Sequence, residues 1–248
     1  MSESNTVTTP EIAPAAEKAL RAAIDAGVFY GRSKRHTNPR MKNSILYTRN
    51  GMEVLNLNLT IDQAEKAESY LQHVSGRGGT ILFVCTQPAF ADIAYKFVEE
   101  YGMPAVLHRW NGGLMTTYPV VSKRIKHLTK LRKDLATGVF DKYVKKERTK
   151  AEQEMEKLEA NLGTLEELKG PPDVLLVIDP VLHSTAVREA NRLSIPVIAL
   201  GNIDATPEDV PYLVAGNCTG RKSVSWFLDR MGKALKEAPK PAPEEAAK

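Results

Sequence analysis

Asp179 and Asp204 each follow an apolar run that reads as a strand, and Cys85 closes another, "TILFVC" at 80–85. In an open α/β sheet such strand ends are where ligands bind. Two acids there could hold a magnesium ion, and a thiol there could act as a nucleophile. The same positions also suit plainer work: an acid capping the next helix or turn, or a buried thiol packing as a small hydrophobe. No His lies near Cys85 in the chain, and His36, His73, His108, His127 and His183 are scattered without metal-ligand spacing. A P-loop is absent. "GRGG" at 76–79 precedes its strand instead of following it, so it reads as a helix stop and tight turn. Nothing here assembles an acid–base pair.

The cations carry more information. Between Asp25 and Glu53 lie 27 residues without an acid, holding Arg32, Lys34, Arg35, Arg40, Lys42 and Arg49. Between Glu100 and Asp134 lie 33 more, holding Arg109, Lys123, Arg124, Lys126, Lys130, Arg132 and Lys133. The whole chain has 30 acids in 248 residues and a formal charge of only +4, so the remainder is net negative. Two basic stretches on an otherwise acidic chain are either solvated faces or a grip on a polyanion, of which nucleic acid is the default. "HRWNGGLMTTY" (108–118) supports the grip. Arg109 can bond phosphate oxygens in a fork. Trp110 can stack on a base or pack beneath the loop, and Gly112-Gly113 allows close backbone approach. The 31–51 stretch, with Asn38 and Tyr47 among its cations, reads as an arm draped over a domain, charges outward and without a strand before Ile45.

Hydrophobic content of 42% and charged content of 26% are ordinary globular values, and 248 residues can bury a sizeable core. Two cysteines without CxxC spacing argue against a disulfide framework or zinc ribbon. "MSESNTVTTPEIAPAA" has no basic region followed by an apolar core, and no apolar run reaches the roughly 20 residues of a membrane helix. The expectation is a soluble, intracellular protein with no membrane partner.

What would position the cations is an alternation of helices and strands. "TIDQAEKAESYLQHVSG" reads as a helix opened by a Thr60/Gln63 capping box and stopped at Gly76. "TILFVC" is a strand buried on both faces. "PAFADIAYKFVEEYG" is a helix with Pro88 in its first turn and Gly102 as its C-cap. Strands follow at 104–108, 173–179 and 196–200, with "PYLVAG" (211–216) a last short one. "STAVREANRLS" supplies a further helix, and "GRKSVSWFLDRMGKALK" closes the domain. Single helices between strands mean a parallel sheet covered by helices.

Residues 119–170 break the rhythm. Val121, Ile125, Leu128 and Leu135 share one helical face, with Lys123, Lys126, Lys130 and Lys133 opposite. Val144, Ala151, Met155, Leu158, Leu162 and Leu165 then form a heptad seam. Two such helices predict an antiparallel coiled-coil hairpin projecting from the core. Arg132, on the apolar side of the first helix, should meet an acid on the second.

Taken in order, "AGVFYGRSKRHTNPRM", "YTRNGMEVLNLNLT", "HRWNGGLMTT", "VIDP" and "AVREANRLSIPVIAL" resemble the bacterial-type ribosomal protein S-two family, the second protein of the small ribosomal subunit. The resemblance covers roughly residues 20 to 235. It implies a flavodoxin-like three-layer α/β/α core with a parallel sheet and an inserted coiled-coil hairpin. It also implies no enzymatic activity, contact with small-subunit ribosomal RNA and neighbouring ribosomal proteins, and recruitment of ribosomal protein S-one. The family's usual Phe-Gly-His reads here Tyr30, Gly31, Arg32, and its Pro-Gly-Asn-Asp reads Ala215, Gly216, Asn217, Cys218.

The resulting expectations are a loose N-terminus (1–15), a core of 16–118 and 171–236, a hairpin insertion (119–170) and a loose tail (237–248). RNA contacts are expected from Arg32, Lys34, Arg35, Asn38, Arg40, Lys42, Arg49, Arg109, Trp110, Lys123, Arg124, Lys126, Lys130 and Lys133. The protein is expected in the cytoplasm on the ribosome, not as a homo-oligomer, without cofactor, metal or catalytic residue. One alternative is a nucleotide- or sugar-phosphate-binding Rossmann-like enzyme using the crevice near Thr86 and Asp179. Another makes the hairpin a protein-docking spike in a non-ribosomal assembly.

Overall fold

The computed structural model describes residues 14–137, 145–166, 168 and 170–237. The loose ends expected at the two termini lie almost wholly outside these residues, as does Val144 of the seam.

Five short strands form a parallel sheet: β4 (Ile81–Val84), β5 (Ala105–Val106), β6 (Val174–Ile178), β7 (Val197–Gly201) and β8 (Tyr212–Ala215). Their spatial order is β5-β4-β6-β7-β8, the doubly wound order in which the first strand lies inside the second. The register runs Ile81↔Val174 to Val84↔Val177 across β4 and β6. Because alternate residues face opposite sides, the two faces collect different side chains. Leu82, Val84, Leu175, Val177, Val197 and Ala199 enter one apolar cluster, and Phe83, Val174, Leu176, Ile178, Ile198 and Leu200 the other. The second face is covered by α2 (Leu57–Gly76), α3 (Ala91–Tyr101) and α7 (Arg221–Glu237). The first is covered by α6 (Ser184–Arg192) together with α4 (Tyr118–Ala136) and α5 (Lys145–Leu162). This is the expected three-layer α/β/α core. A further helix, α1 (Pro14–Asp25), which the sequence reading passed over, packs against α2 and α7.

Two local expectations change. The Thr60/Gln63 capping box is not formed, because α2 starts four residues earlier. Asn56 caps it, accepting from the Asn58 N–H at 3.2 Å. Thr60 and Gln63 face inward instead and close the edge strand: the Thr60 hydroxyl donates to the Ala215 carbonyl (2.7 Å), and Gln63 Oε1 accepts from the Ala215 N–H (2.9 Å). An edge strand left bare would be open to pairing with another chain. Gly102 does end α3 in the left-handed conformation, at φ 58°.

The arm is more ordered than expected. β1 (Tyr30–Ser33) precedes Ile45 after all, and with β2 (Ile45–Arg49) and β3 (Met52–Leu55) it forms an antiparallel sheet in the order β1-β3-β2. β2 and β3 are joined through Asn50 (φ 51°) and Gly51 (φ 75°). An Asn-Gly pair with both φ positive matches the twist of a two-residue hairpin. "RNGM" between extended runs carries that signal, beyond the turn that Gly51 alone suggests. Gly31 lets β1 lie close to β3, because a Cβ there would sit 2.6 Å from the Glu53 carbonyl oxygen. Met41 and Leu55 anchor the arm in the apolar cluster beneath α6.

α4 and α5 pack along one another. Tyr118 bonds the Leu168 carbonyl, 50 residues on, while His127 meets Glu154, 27 residues on. A separation that narrows along α4 is the order of an antiparallel pair. The base of the pair does not stand free of the core, since Ile125, Leu128, Leu162, Leu165 and Leu168 belong to the sheet's own cluster. Arg132 finds the acids expected of it, Glu159 at 3.0 Å and Glu166 at 2.9 Å.

Candidate nucleic-acid interface

The expectation that every arm cation faces outward fails at Arg32. β1 leads into the crevice at the carboxyl ends of β6 and β7, and the Arg32 guanidinium donates to Asp204 Oδ2 (2.7 Å) and Asp179 Oδ2 (3.0 Å). Its side chain is 32% exposed, against 13% for Asp204 and 5% for Asp179. Cys218 Sγ lies 3.7 Å away. Burying two carboxylates so close together is costly unless a cation and donors meet them, and Arg32 is that cation. Asp179 also accepts from the N–H groups of Val181 and Leu182, which is the capping role and not a metal ligand's. Burial raises the Asp204 carboxyl above its ordinary range, and Arg32 opposes the shift.

His183 and Thr86 at the crevice satisfy one another as well. His183 is buried, its Nδ1 3.0 Å from the Asp179 carbonyl and its Nε2 3.2 Å from the Thr86 N–H and 3.0 Å from the Thr86 hydroxyl. An N–H pointing at Nε2 makes that nitrogen the acceptor, so Nδ1 carries the proton and the ring is neutral. Burial holds its pKa below 6.5. An unfolded histidine takes up a proton as the pH falls through about 6.5, whereas the folded one resists. The stability contributed by neutral His183 is therefore present above that pH and lost on acidification below it. Thermal midpoints measured from pH 7 to 5 should fall, and His183→Gln should flatten part of that slope; an unchanged slope would contradict the assignment. Burial also pushes Cys85 up to about 11 and Cys218 up to about 12, so neither is a thiolate nucleophile at neutral pH.

Three more of the expected contacts have work inside the chain. The Asn38 side chain accepts from the Arg40 N–H (3.1 Å) and donates to the Ala205 carbonyl (3.0 Å), tying the arm to the β7–β8 loop. Arg40 is exposed and paired with the exposed Glu208. Trp110 packs beneath its loop, half-buried against the core, with its indole N–H donating to Glu189 Oε1 at 3.0 Å. Stacking on a base would require it to leave that place.

Ten expected residues remain: Lys34, Arg35, Lys42 and Arg49 on the arm, Arg109 on the β5–α4 loop, and Lys123, Arg124, Lys126, Lys130 and Lys133 on α4. All ten are exposed, and none has a side-chain hydrogen bond or ion pair among the described residues. The spacing of Lys126, Lys130 and Lys133 keeps them on one side of α4. There they line an open groove of about 620 Å³ with Ser122, Thr129 and Tyr118; its two acids are Asp134 and Glu166, the latter held by Arg132. Such a surface can neutralise a string of phosphates without any group inside the protein losing its partner.

The sequence reading missed Glu189. It sits on α6 between the buried Val187 and Ala190 and is itself 9% exposed. Its carboxylate accepts from the Trp110 indole and from the N–H groups of Gly113 (2.8 Å), Met115 (3.1 Å) and Thr116 (3.4 Å). The available signal was position: Glu189 falls three residues after Ala186, on the face that packs.

A family model described as Ribosomal protein S2 matches residues 23–238. The small ribosomal subunit protein uS2 of Idiomarina loihiensis is 38% identical over 223 residues, covering 90% of this chain and 92% of the relative. That of Actinobacillus pleuropneumoniae is 36% identical over 90% and 93% of the two chains. The Thermus thermophilus protein is 35% identical over 86% and 84%.

Proposed function

The chain belongs to the Ribosomal protein S2 family, a structural and non-enzymatic component of the small ribosomal subunit, and from that membership we propose how it holds its place there. It binds small-subunit ribosomal RNA through backbone phosphates, with Lys34, Arg35, Lys42 and Arg49 of the arm, Arg109, and Lys123, Arg124, Lys126, Lys130 and Lys133 of α4 as contacts. The observation that carries this reading is the set of ten exposed cations without a partner among the described residues, drawn from two acid-free stretches. A cation already paired gains little from a phosphate, whereas an unpaired one releases condensed counterions from the RNA when it binds. Arg32, Asn38 and Trp110 belong to the scaffold, and Arg40 must first leave Glu208. The protein acts as a single copy and contributes to recruiting ribosomal protein S-one, as the resemblance implies.

Sedimentation of lysate from growing cells tests the reading. The protein should travel with small subunits and be stripped by high salt in a graded manner. A free low-mass pool, unmoved by salt, would contradict it. The crevice enzyme is disfavoured by the same geometry, since Arg32, Asp179, Thr86 and His183 already satisfy one another there.

A further inference from the structure

Loops rich in glycine and exposed to solvent hold a shape only when something fixes their backbone, and Asn111–Gly112–Gly113 has little side chain with which to fix itself. In this protein the fixing group comes from another element. One carboxylate on α6, 76 residues away along the chain from Gly113, gathers donors from both flanks of the loop. On the near flank are the Trp110 indole N–H (3.0 Å) and the Gly113 N–H (2.8 Å), both to Oε1. On the far flank are the Met115 N–H (3.1 Å), the Thr116 N–H (3.4 Å) and the Thr116 hydroxyl (3.4 Å), all to Oε2. Hydrogen bonds to an ionised acceptor in a buried place are about twice as strong as neutral ones. The loop is also pinned at its exit, where the Thr117 hydroxyl donates to the Gly113 carbonyl at 2.7 Å.

The consequence falls on Arg109. Its neighbour Trp110 is drawn inward by Glu189 and packs on the core, which leaves the side chain before it on the solvent side of the loop. Arg109 is accordingly exposed and unpartnered among the described residues. The Gly113, Met115 and Thr116 amides are spent on the carboxylate and the Leu114 amide on the Asn111 carbonyl. Arg109 supplies the loop's positive charge for holding an anion.

We propose that Glu189 is a positioning residue: its buried carboxylate holds the Trp110–Thr116 loop in the one shape that presents Arg109 to ribosomal RNA. The proposal rests on the RNA-binding reading above and adds to it a residue that touches no RNA.

The test is a double-mutant cycle with small-subunit ribosomal RNA as the probe, read at several salt concentrations. Glu189→Gln keeps the size of the side chain but turns an amide N–H2 toward N–H donors. Arg109→Ala should lower the salt slope by about one phosphate contact, roughly 0.7 to 0.9. Glu189→Gln should lower it by the same amount while Arg109 is still present, and adding Glu189→Gln to Arg109→Ala should cost nothing further. Amide exchange at Gly113 and Met115 should speed up in the Gln variant, and a cooperative thermal transition checks that it remains folded. Additive losses, or wild-type affinity and slope in Glu189→Gln, would overturn the proposal. If Arg109→Ala alone has no effect while charge removal on α4 does, the positioning role falls and the wider reading stands. If no variant changes binding, both fall. Should Glu189→Gln fail to fold, Thr116→Val, which removes one donor to the carboxylate, takes its place with the same expectations.

Discussion

Replacing Lys126, Lys130 and Lys133 together by glutamine should lower affinity for small-subunit ribosomal RNA about 100-fold near physiological salt. Each neutralised phosphate contributes roughly 0.7 to 0.9 to the slope of log affinity against log salt. Three lost contacts therefore remove about 2 to 3 from that slope, which at an ionic strength of about 0.15 M is on the order of a hundredfold in affinity. Folding should be nearly untouched, within about 0.5 kcal/mol, because the three ammonium groups are exposed and have no partner to abandon among the described residues. Filter binding across a salt series, with thermal unfolding alongside, separates the two effects. A slope equal to that of the unsubstituted protein would remove α4 from the interface.

The second large effect is on stability. Arg32→Ala should destabilise the protein by about 2–4 kcal/mol, below the full cost of breaking a buried pair because a third of the Arg32 side chain reaches solvent. For a chain of this size that lowers the thermal midpoint by on the order of 5–10 °C. The physical loss is less the removal of a favourable contact than the stranding of Asp179 and Asp204, two carboxylates that then face each other without a cation. Asp204 already has its pKa raised by burial, and removing Arg32 should raise it further. A group whose folded pKa lies above its unfolded value stabilises below the unfolded pKa and loses that contribution as pH rises. The variant should therefore regain part of its deficit as the pH is lowered from 7 toward 4. Arg32→Lys should recover only one of the two bonds, since a point ammonium cannot reproduce the fork. RNA affinity should change far less than stability. A variant as stable as the parent but weak in binding would restore Arg32 to the RNA face.

These two cases separate what was legible from what was not. The lysines of α4 were readable because helical periodicity is a local property: an apolar residue every three or four positions places the intervening lysines outside. The parallel sheet was readable for a similar reason, since "TILFVC" and "DVLLVID" carry β-branched and aliphatic residues without alternation, as strands covered on both sides must. The β2–β3 hairpin was equally local, and the Asn50-Gly51 pair stated it; the density of charge around it drew the reading toward an irregular arm instead. The capping box at Thr60 shows the converse error. Its spacing was right, but the Ala215 backbone, 155 residues away, had a stronger claim on the Thr60 hydroxyl.

Arg32 and Glu189 mark the limit of the one-dimensional reading. The amino-acid sequence by itself determined the order of helices and strands, the acid-free stretches and the sign of the charge they carry. Each of these depends on neighbours within a few turns of chain. Only the tertiary structure decided which charges are spent at home. Arg32 meets carboxylates 147 and 172 residues further on, and Glu189 binds a loop more than 70 residues before it. An ion pair or a buried acceptor is a statement about distance in space, and the chain carries no local mark of it until the sheet has brought those residues together.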